Sequence, residues 1–316
     1  MSAALAIETR GLGKVYQPHF WSKKHEALRG LDLSVEPGQV FGFIGPNGAG
    51  KTTTIKILVG LHRATSGSAT IFGVDHRDPR ARARLGFLPE RPYFYQHLSA
   101  RELLRYYGQV AGVTGAAGRR RIDELLERVD LVRFAGVPLG KYSKGMLQRV
   151  GLCQSLLHDP DLVVLDEPMS GLDPLGRALV RDVILDERAR GRTVFFSSHI
   201  LHDVETLCDR VAVLVRGELR GVGSVGELLG AHTRYVEVRV EGVSADALSV
   251  PAEREDGDAV VVRVDPDSVD DLLDRARAAG GRVREVNPVR QTLEDVFVSE
   301  VERDRPVDGA KLGVLA

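Results

Sequence analysis

Apolar residues dominate the short stretches Gln39–Ile44 and Leu162–Leu165, and Thr193–Ser197 and Val211–Val215 read the same way. Runs of this kind predict strands buried on both faces, as in a parallel sheet. Helical stretches separate them, so the pattern predicts an α/β sheet with helices on its faces. Leu28–Val35 instead alternates apolar and polar positions and ends at Glu36-Pro37-Gly38, a turn signal. That segment is expected as antiparallel β structure near a sheet edge.

Between Pro89 and Pro160 the strand signal stops. Ser99 and Glu102 have the spacing of a capping box ahead of a helix through Val110, and Arg119–Val129 predicts a second amphipathic helix. A helical subdomain over about 90–160 is therefore expected within the sheet domain. Beyond Gly230, alternation returns in Tyr235–Val240 and Ala259–Val264, followed by a helix from about Ser268 to Ala279. Pro251–Asp258 reads as a polar turn between those strands, and the segment after Arg303 as a frayed end. The pattern divides the chain into a domain over 1–230 and a small α+β domain over 231–316.

Composition supports a folded chain of about two domains: 316 residues, 43% hydrophobic and 28% charged. Net charge is -1, which gives no overall basic excess for nucleic acid or an anionic membrane. The charge is unevenly spread, however. From His232 onward there are 12 basic and 19 acidic residues, so this part is negative and the preceding part positive. Cys153 and Cys208, both in apolar segments, suit buried thiols in a reducing compartment. The opening MSAALAIETR lacks the apolar core of a signal peptide, and no apolar run approaches the ~18 residues of a membrane span. These features predict a cytoplasmic chain that depends on another protein for any membrane role.

Gly45-Pro46-Asn47-Gly48-Ala49-Gly50-Lys51-Thr52 satisfies G-x-x-x-x-G-K-[ST], between the strand ending at Ile44 and a helix expected from about Thr52 to Leu58. Glycines let backbone N–H groups turn inward around phosphates, and the helix N-terminus adds partial positive charge. Lys51 is placed to reach the β/γ-phosphates and Thr52 to ligate Mg²⁺. Downstream, the strand Leu162–Leu165 ends in Asp166-Glu167. Asp166 suits a metal-holding carboxylate and Glu167 a base that activates water. A strand-end acidic turn would look the same in isolation; the upstream P-loop is what gives the pair its chemistry.

With these two motifs in this order, the chain resembles the nucleotide-binding subunit of ABC transporters over roughly Leu5 to Leu229. The resemblance implies a RecA-like P-loop NTPase core with an antiparallel β subdomain and an inserted helical subdomain. It also implies ATP and Mg²⁺ as ligands, with Gly45, Asn47, Gly48, Gly50, Lys51, Thr52 and Thr53 on the nucleotide. Tyr142–Arg149 resembles the signature loop: Ser143 and Gly145 match, whereas Tyr142, Lys144 and Met146 depart. A hydroxyl, N–H groups and a helix start still make an anion site for the opposite subunit's ATP, which Lys144 strengthens if its ammonium turns inward. Ser170-Gly171-Leu172-Asp173 resembles the D-loop and His199 the switch histidine at the γ-phosphate. Tyr16 is placed like the adenine-stacking aromatic, with Phe20 and Trp21 as rivals because an insertion, Pro18–His25, follows it. The family's Q-loop glutamine aligns with Glu90, a carboxylate able to reach Mg²⁺ or water, or to pair with Arg91 or Arg101.

Pro92-Tyr93-Phe94-Tyr95 either fills the helical subdomain or forms a groove for a membrane partner's helix. Arg77–Arg84 reads as a solvated surface turn or helix, not a nucleic-acid site. Gln291–Phe297 resembles the closing segment of the small C-terminal domain that exporter ATPases of this family carry. The resemblance thus implies the ATP-hydrolysing subunit of an exporter. It would act as a homodimer or heterodimer, peripheral on the cytoplasmic face of the membrane through a separate integral membrane permease. A soluble ABC ATPase acting on ribosomes or DNA is the rival, disfavoured by a single P-loop and the absence of heptad runs. A small-molecule P-loop kinase would leave the signature octet and His199 without work.

Overall fold

The strand Val40–Ile44 is buried at every position and lies inside a six-stranded sheet. The order is Glu218–Ser224, Arg210–Val215, Val40–Ile44, Thr193–Ser198, Leu162–Asp166 and Leu85–Leu88. All neighbours are parallel except the first pair, which is an antiparallel hairpin. Continuous apolar runs follow from this geometry, because both faces of a parallel sheet are covered. This is a computed structural model, and it describes residues 4–17, 21, 23–229, 233–290 and 292–295.

A second, antiparallel sheet runs His25–Val35, Ile7–Tyr16, Ser66–Ile71 and Val74–Asp75, with His25–Val35 at its edge. The helix Lys51–Leu58 contributes Ile55, Ile57 and Leu58 to one core with Leu12, Leu31 and Ile71 of this sheet and Phe41, Phe43 and Phe195 of the parallel one. The sequence pattern had not marked Ile7–Tyr16 as a strand. Its pairing is irregular between Thr9 and Leu12, where Gly11 takes a left-handed φ of 56°, so the alternation of faces is broken.

The helical subdomain comprises Ala100–Val110, Gly115–Arg128 and Lys144–Leu156. Ser99 caps the first of these: its backbone N–H donates to Glu102 Oε2 at 2.9 Å, and the Glu102 N–H donates to its hydroxyl at 3.3 Å. The second helix starts four residues earlier than the expected Arg119. Pro79–Arg82 is a short surface helix capped by Asp78.

The chain separates into two compact units, Met1–Val225 and Gly226–Ala316, with the short helix Val225–Leu229 at the division. The second unit is an antiparallel sheet in the order Ala252–Asp256, Ala259–Val264, Thr233–Glu241 and Arg282–Arg290. With the helices Ala245–Leu248 and Val269–Ala278 it has the β-α-β-β-α-β order of a split-βαβ unit. Val238, Val240, Val262, Leu248, Leu272 and Ala276 form its core. Here the structure corrects the expectation of a polar turn over Pro251–Asp258: Ala252–Asp256 is a strand. It is an edge strand exposed at every position, so no alternation betrays it, and its charges guard the open edge. Among the described residues no helix is long and apolar enough to cross a membrane.

Candidate functional site

The parallel strands end together, and the residues singled out for chemistry follow directly. The P-loop leaves Ile44, Glu167 follows Asp166, and His199 follows Ser198, with Ile44 in register with Ser198 and Asp166 with Ser197. Ligand sites in such sheets lie beyond the carboxyl ends of the strands.

Within the loop, the glycines answer to space and conformation. A Cβ on Gly45 would stand 2.3 Å from the Leu214 carbonyl oxygen. Gly50, at φ 108°, would bring one to 2.6 Å of the Ala27 carbonyl oxygen. Gly50 is also the N-cap of the helix Lys51–Leu58 and offers no side-chain cap, so the first N–H groups of that helix stay open toward the cleft. Lys51 is buried, and its ammonium donates to the carbonyl of Gly45 at 2.6 Å.

Across from the loop, one hydroxyl organises both carboxylates. Ser197 Oγ donates to Asp166 Oδ1 at 2.7 Å and accepts from the Glu167 N–H at 3.0 Å. Thr52 Oγ1 also donates to Asp166 Oδ1, at 3.4 Å. Burial raises the pKa of Asp166, against the lowering effect of the Ser197 and Thr52 hydroxyls. Glu167 holds a left-handed φ of 50°, a strained conformation for a non-glycine residue. Its Oε1 lies 3.6 Å from Lys51 Nζ and its Oε2 2.7 Å from His199 Nδ1.

Tyr16, Asn47, Gly48, Gly50, Lys51, Thr52, Thr53, Glu90, Glu167 and His199 line one cleft of about 380 Å³. Ser170, His25 and Ala27 line it too, without having been singled out as nucleotide contacts. The Tyr16 hydroxyl is 2.7 Å from His62 Nδ1, which fixes the ring beside the cleft. Trp21 is 84% exposed and does not line the cleft, and Phe20 lies outside the described residues. Glu90 faces the cleft and also lies 3.7 Å from Arg91, whereas Arg101 pairs with Asp123.

Ser143, Lys144, Gly145 and Asp173 do not line this cleft. Ser143 caps the helix Lys144–Leu156, accepting from the Met146 N–H at 3.2 Å. The Lys144 side chain lies along Gly171, its ammonium 2.6 Å from where a Cβ there would stand. Asp173 caps the helix Pro174–Ala189, accepting from the Gly176 N–H at 2.9 Å. In the aromatic cluster Phe94 is buried and fills the interior, whereas Tyr93 is 88% and Tyr95 58% exposed. Tyr93 and Phe94 line a groove of about 450 Å³ with Leu61, Tyr107 and Val110. Of the C-terminal segment Gln291–Phe297, Gln291, Val296 and Phe297 lie outside the described residues.

Ser197 carries no signal in the sequence, because its partners, Asp166 and Glu167 at the end of the neighbouring strand, are brought to it only by the sheet register. Among the described residues no group of three or more His, Cys, Asp or Glu side chains is placed to hold a metal. The hydroxyl of Thr52 and the carboxylate of Asp166 form an all-oxygen pair, which fits Mg²⁺ shared with substrate phosphates.

Residues 28–170 match the family model described as ABC transporter. An uncharacterized ABC transporter ATP-binding protein of Synechocystis sp. is 42% identical over 309 residues, which cover 96% of this chain and 86% of that protein. A fluoroquinolones export ATP-binding protein of Mycobacterium tuberculosis is 42% identical over 218 residues, 68% of this chain and 70% of that protein. Among solved structures, an ATP-binding subunit of an ABC transporter superposes with a TM-score of 0.64 at 31% identity, covering 71% of this chain and 91% of that one.

Proposed function

This chain belongs to the ABC transporter ATP-binding protein family, and on that premise we propose that it hydrolyses ATP in the P-loop cleft to drive export through a separate membrane-spanning permease. The observation that carries the reading is the position of Glu167 between Lys51 and His199, beside Asp166 and Thr52. In this reading the open N–H groups of the loop and Lys51 receive the phosphates, and Tyr16 stacks on adenine. Thr52 and Asp166 would hold Mg²⁺, with Glu90 as a further carboxylate of the cleft; the ion would supply charge neutralisation of the β/γ-phosphates. Glu167 takes the proton of the attacking water, and His199 fixes the carboxylate that does so.

Ser143, Lys144 and Gly145, away from this cleft, are assigned to the ATP of a second subunit in a dimer, with Asp173 at the same interface. The exposed Tyr93 beside the groove of Phe94 and Tyr107 is assigned to the permease, and the chain to the cytoplasmic face of the membrane through that contact. Export as the direction is supported by the name of the Mycobacterium relative. The C-terminal unit is assigned an accessory role; the described residues that line the cleft belong to the first unit. Purification of the chain from native membranes tests the reading: an integral membrane protein should accompany it and stimulate its phosphate release. Isolation with a ribosome or DNA instead would contradict it.

A further inference from the structure

A second cavity, of about 470 Å³, opens on the antiparallel β subdomain. Its walls carry Arg63, Arg77 and Arg82 against a single carboxylate, Asp75. That carboxylate is already engaged: Arg77 donates to it through Nε at 2.9 Å and Nη2 at 2.8 Å. The pairing holds the Asp75 carboxyl far below its usual range. Arg82 donates to the Arg77 carbonyl, and no carboxylate pairs with Arg63 or Arg82 among the described residues. Arg63 and Arg82 thus line the cavity without a carboxylate salt bridge of their own, although Asp78, itself bound by Arg80, lies within the electrostatic reach of Arg82. His62, also on the wall, responds to positive surroundings: its pKa is lowered, first by burial and then by Lys56 and Lys14.

His76 belongs to the same lining. It is 4% exposed, and its Nδ1 lies 3.1 Å from the Ala69 carbonyl oxygen. Its Nε2 is buried without a hydrogen-bond partner. With Nδ1 donating to the carbonyl, Nε2 is an acceptor that awaits a donor. Buried polar atoms are rarely left so.

We propose that this cavity is a binding site for a small phosphomonoester. Phosphate oxygens match the forked donors of arginine. The cavity is larger than a bare phosphate needs, which leaves room for an organic substituent. It is distinct from the P-loop cleft but joined to it by one hydrogen bond, between His62 on its wall and Tyr16 on the other.

Calorimetry on the full chain, saturated with Mg²⁺ and a non-hydrolysable ATP analogue so that the P-loop is filled, tests the site with glycerol 3-phosphate as probe. One equivalent should bind, inorganic phosphate should compete, and glycerol should not. Arg63→Ala with Arg82→Ala should weaken binding about tenfold or more, the worth of lost charge-assisted hydrogen bonds. Both side chains belong to exposed residues, so the variant should retain the parent's nucleotide affinity and unfolding temperature. Arg63→Ala alone should weaken binding by part of that amount. Absence of saturable binding at millimolar probe, or equal binding by parent and double variant, would overturn the proposal. Binding of inorganic phosphate but not of glycerol 3-phosphate would overturn the assignment to a monoester.

Discussion

His199 holds Glu167 at two points: Nδ1 lies 2.7 Å from Oε2, and the backbone N–H of His199 donates to the same oxygen at 3.3 Å. The two residues follow adjacent parallel strands, so the sheet itself delivers the pair. Nδ1 is engaged and the side chain is 52% exposed, so in the proposed reading Nε2 is the ring nitrogen offered to the nucleotide. Removing the imidazole should free a carboxylate whose orientation the reaction needs. His199→Ala is expected to lower ATP turnover by about 10- to 100-fold, the worth of a hydrogen bond to a charged group, with nucleotide affinity changed far less. Steady-state phosphate release alongside equilibrium nucleotide binding checks this.

Glu90 adds a negative charge to the cleft, beside Glu167. Near Mg²⁺ and a polyphosphate, that charge should raise the demand for the cation. Glu90→Gln should therefore reach half-maximal hydrolysis at lower Mg²⁺, with only a modest change in maximal rate. A Mg²⁺ titration of both proteins measures it. An unchanged midpoint would leave Glu90 as the surface partner of Arg91.

Much of this site can be read directly from the sequence, and the reason is local. The P-loop, Asp166-Glu167 and His199 each follow a short apolar strand, and the backbone turn after each strand end fixes where they point. What could not be read depends on partners distant in sequence. Ser197 serves Asp166 and Glu167 through strand register, and Tyr16 meets His62 across 46 positions. In the fold, the same division holds. Val40–Ile44 and Leu162–Asp166 declare themselves by burial on both faces, whereas Ile7–Tyr16 is hidden by its bulge and Ala252–Asp256 by full exposure.

Cys153 gives a pH signature of the helical subdomain. It is fully buried, its thiol donates to the Leu125 carbonyl at 3.3 Å, and burial pushes its pKa up to about 12 from 9.0. The folded chain therefore holds this proton more tightly than the unfolded chain. The resulting stability is complete below pH 9 and is lost as pH rises toward 12. Denaturant unfolding of the parent should weaken across that window more steeply than that of Cys153→Ala, which lacks the titrating thiol. Parallel slopes for the two proteins would place the alkaline loss elsewhere.

In the proposed reaction Glu167 activates the water that attacks ATP in the P-loop cleft. Glu167→Gln keeps the size of the side chain and removes the base, so the most direct measurement is steady-state ATP hydrolysis by this variant with the permease present. Turnover should fall by about 10²–10⁴, the usual worth of a positioned general base, while Mg²⁺ and ATP binding persist and an ATP-bound dimer accumulates. Hydrolysis near the parent rate, with nucleotide binding intact, would remove Glu167 from this role.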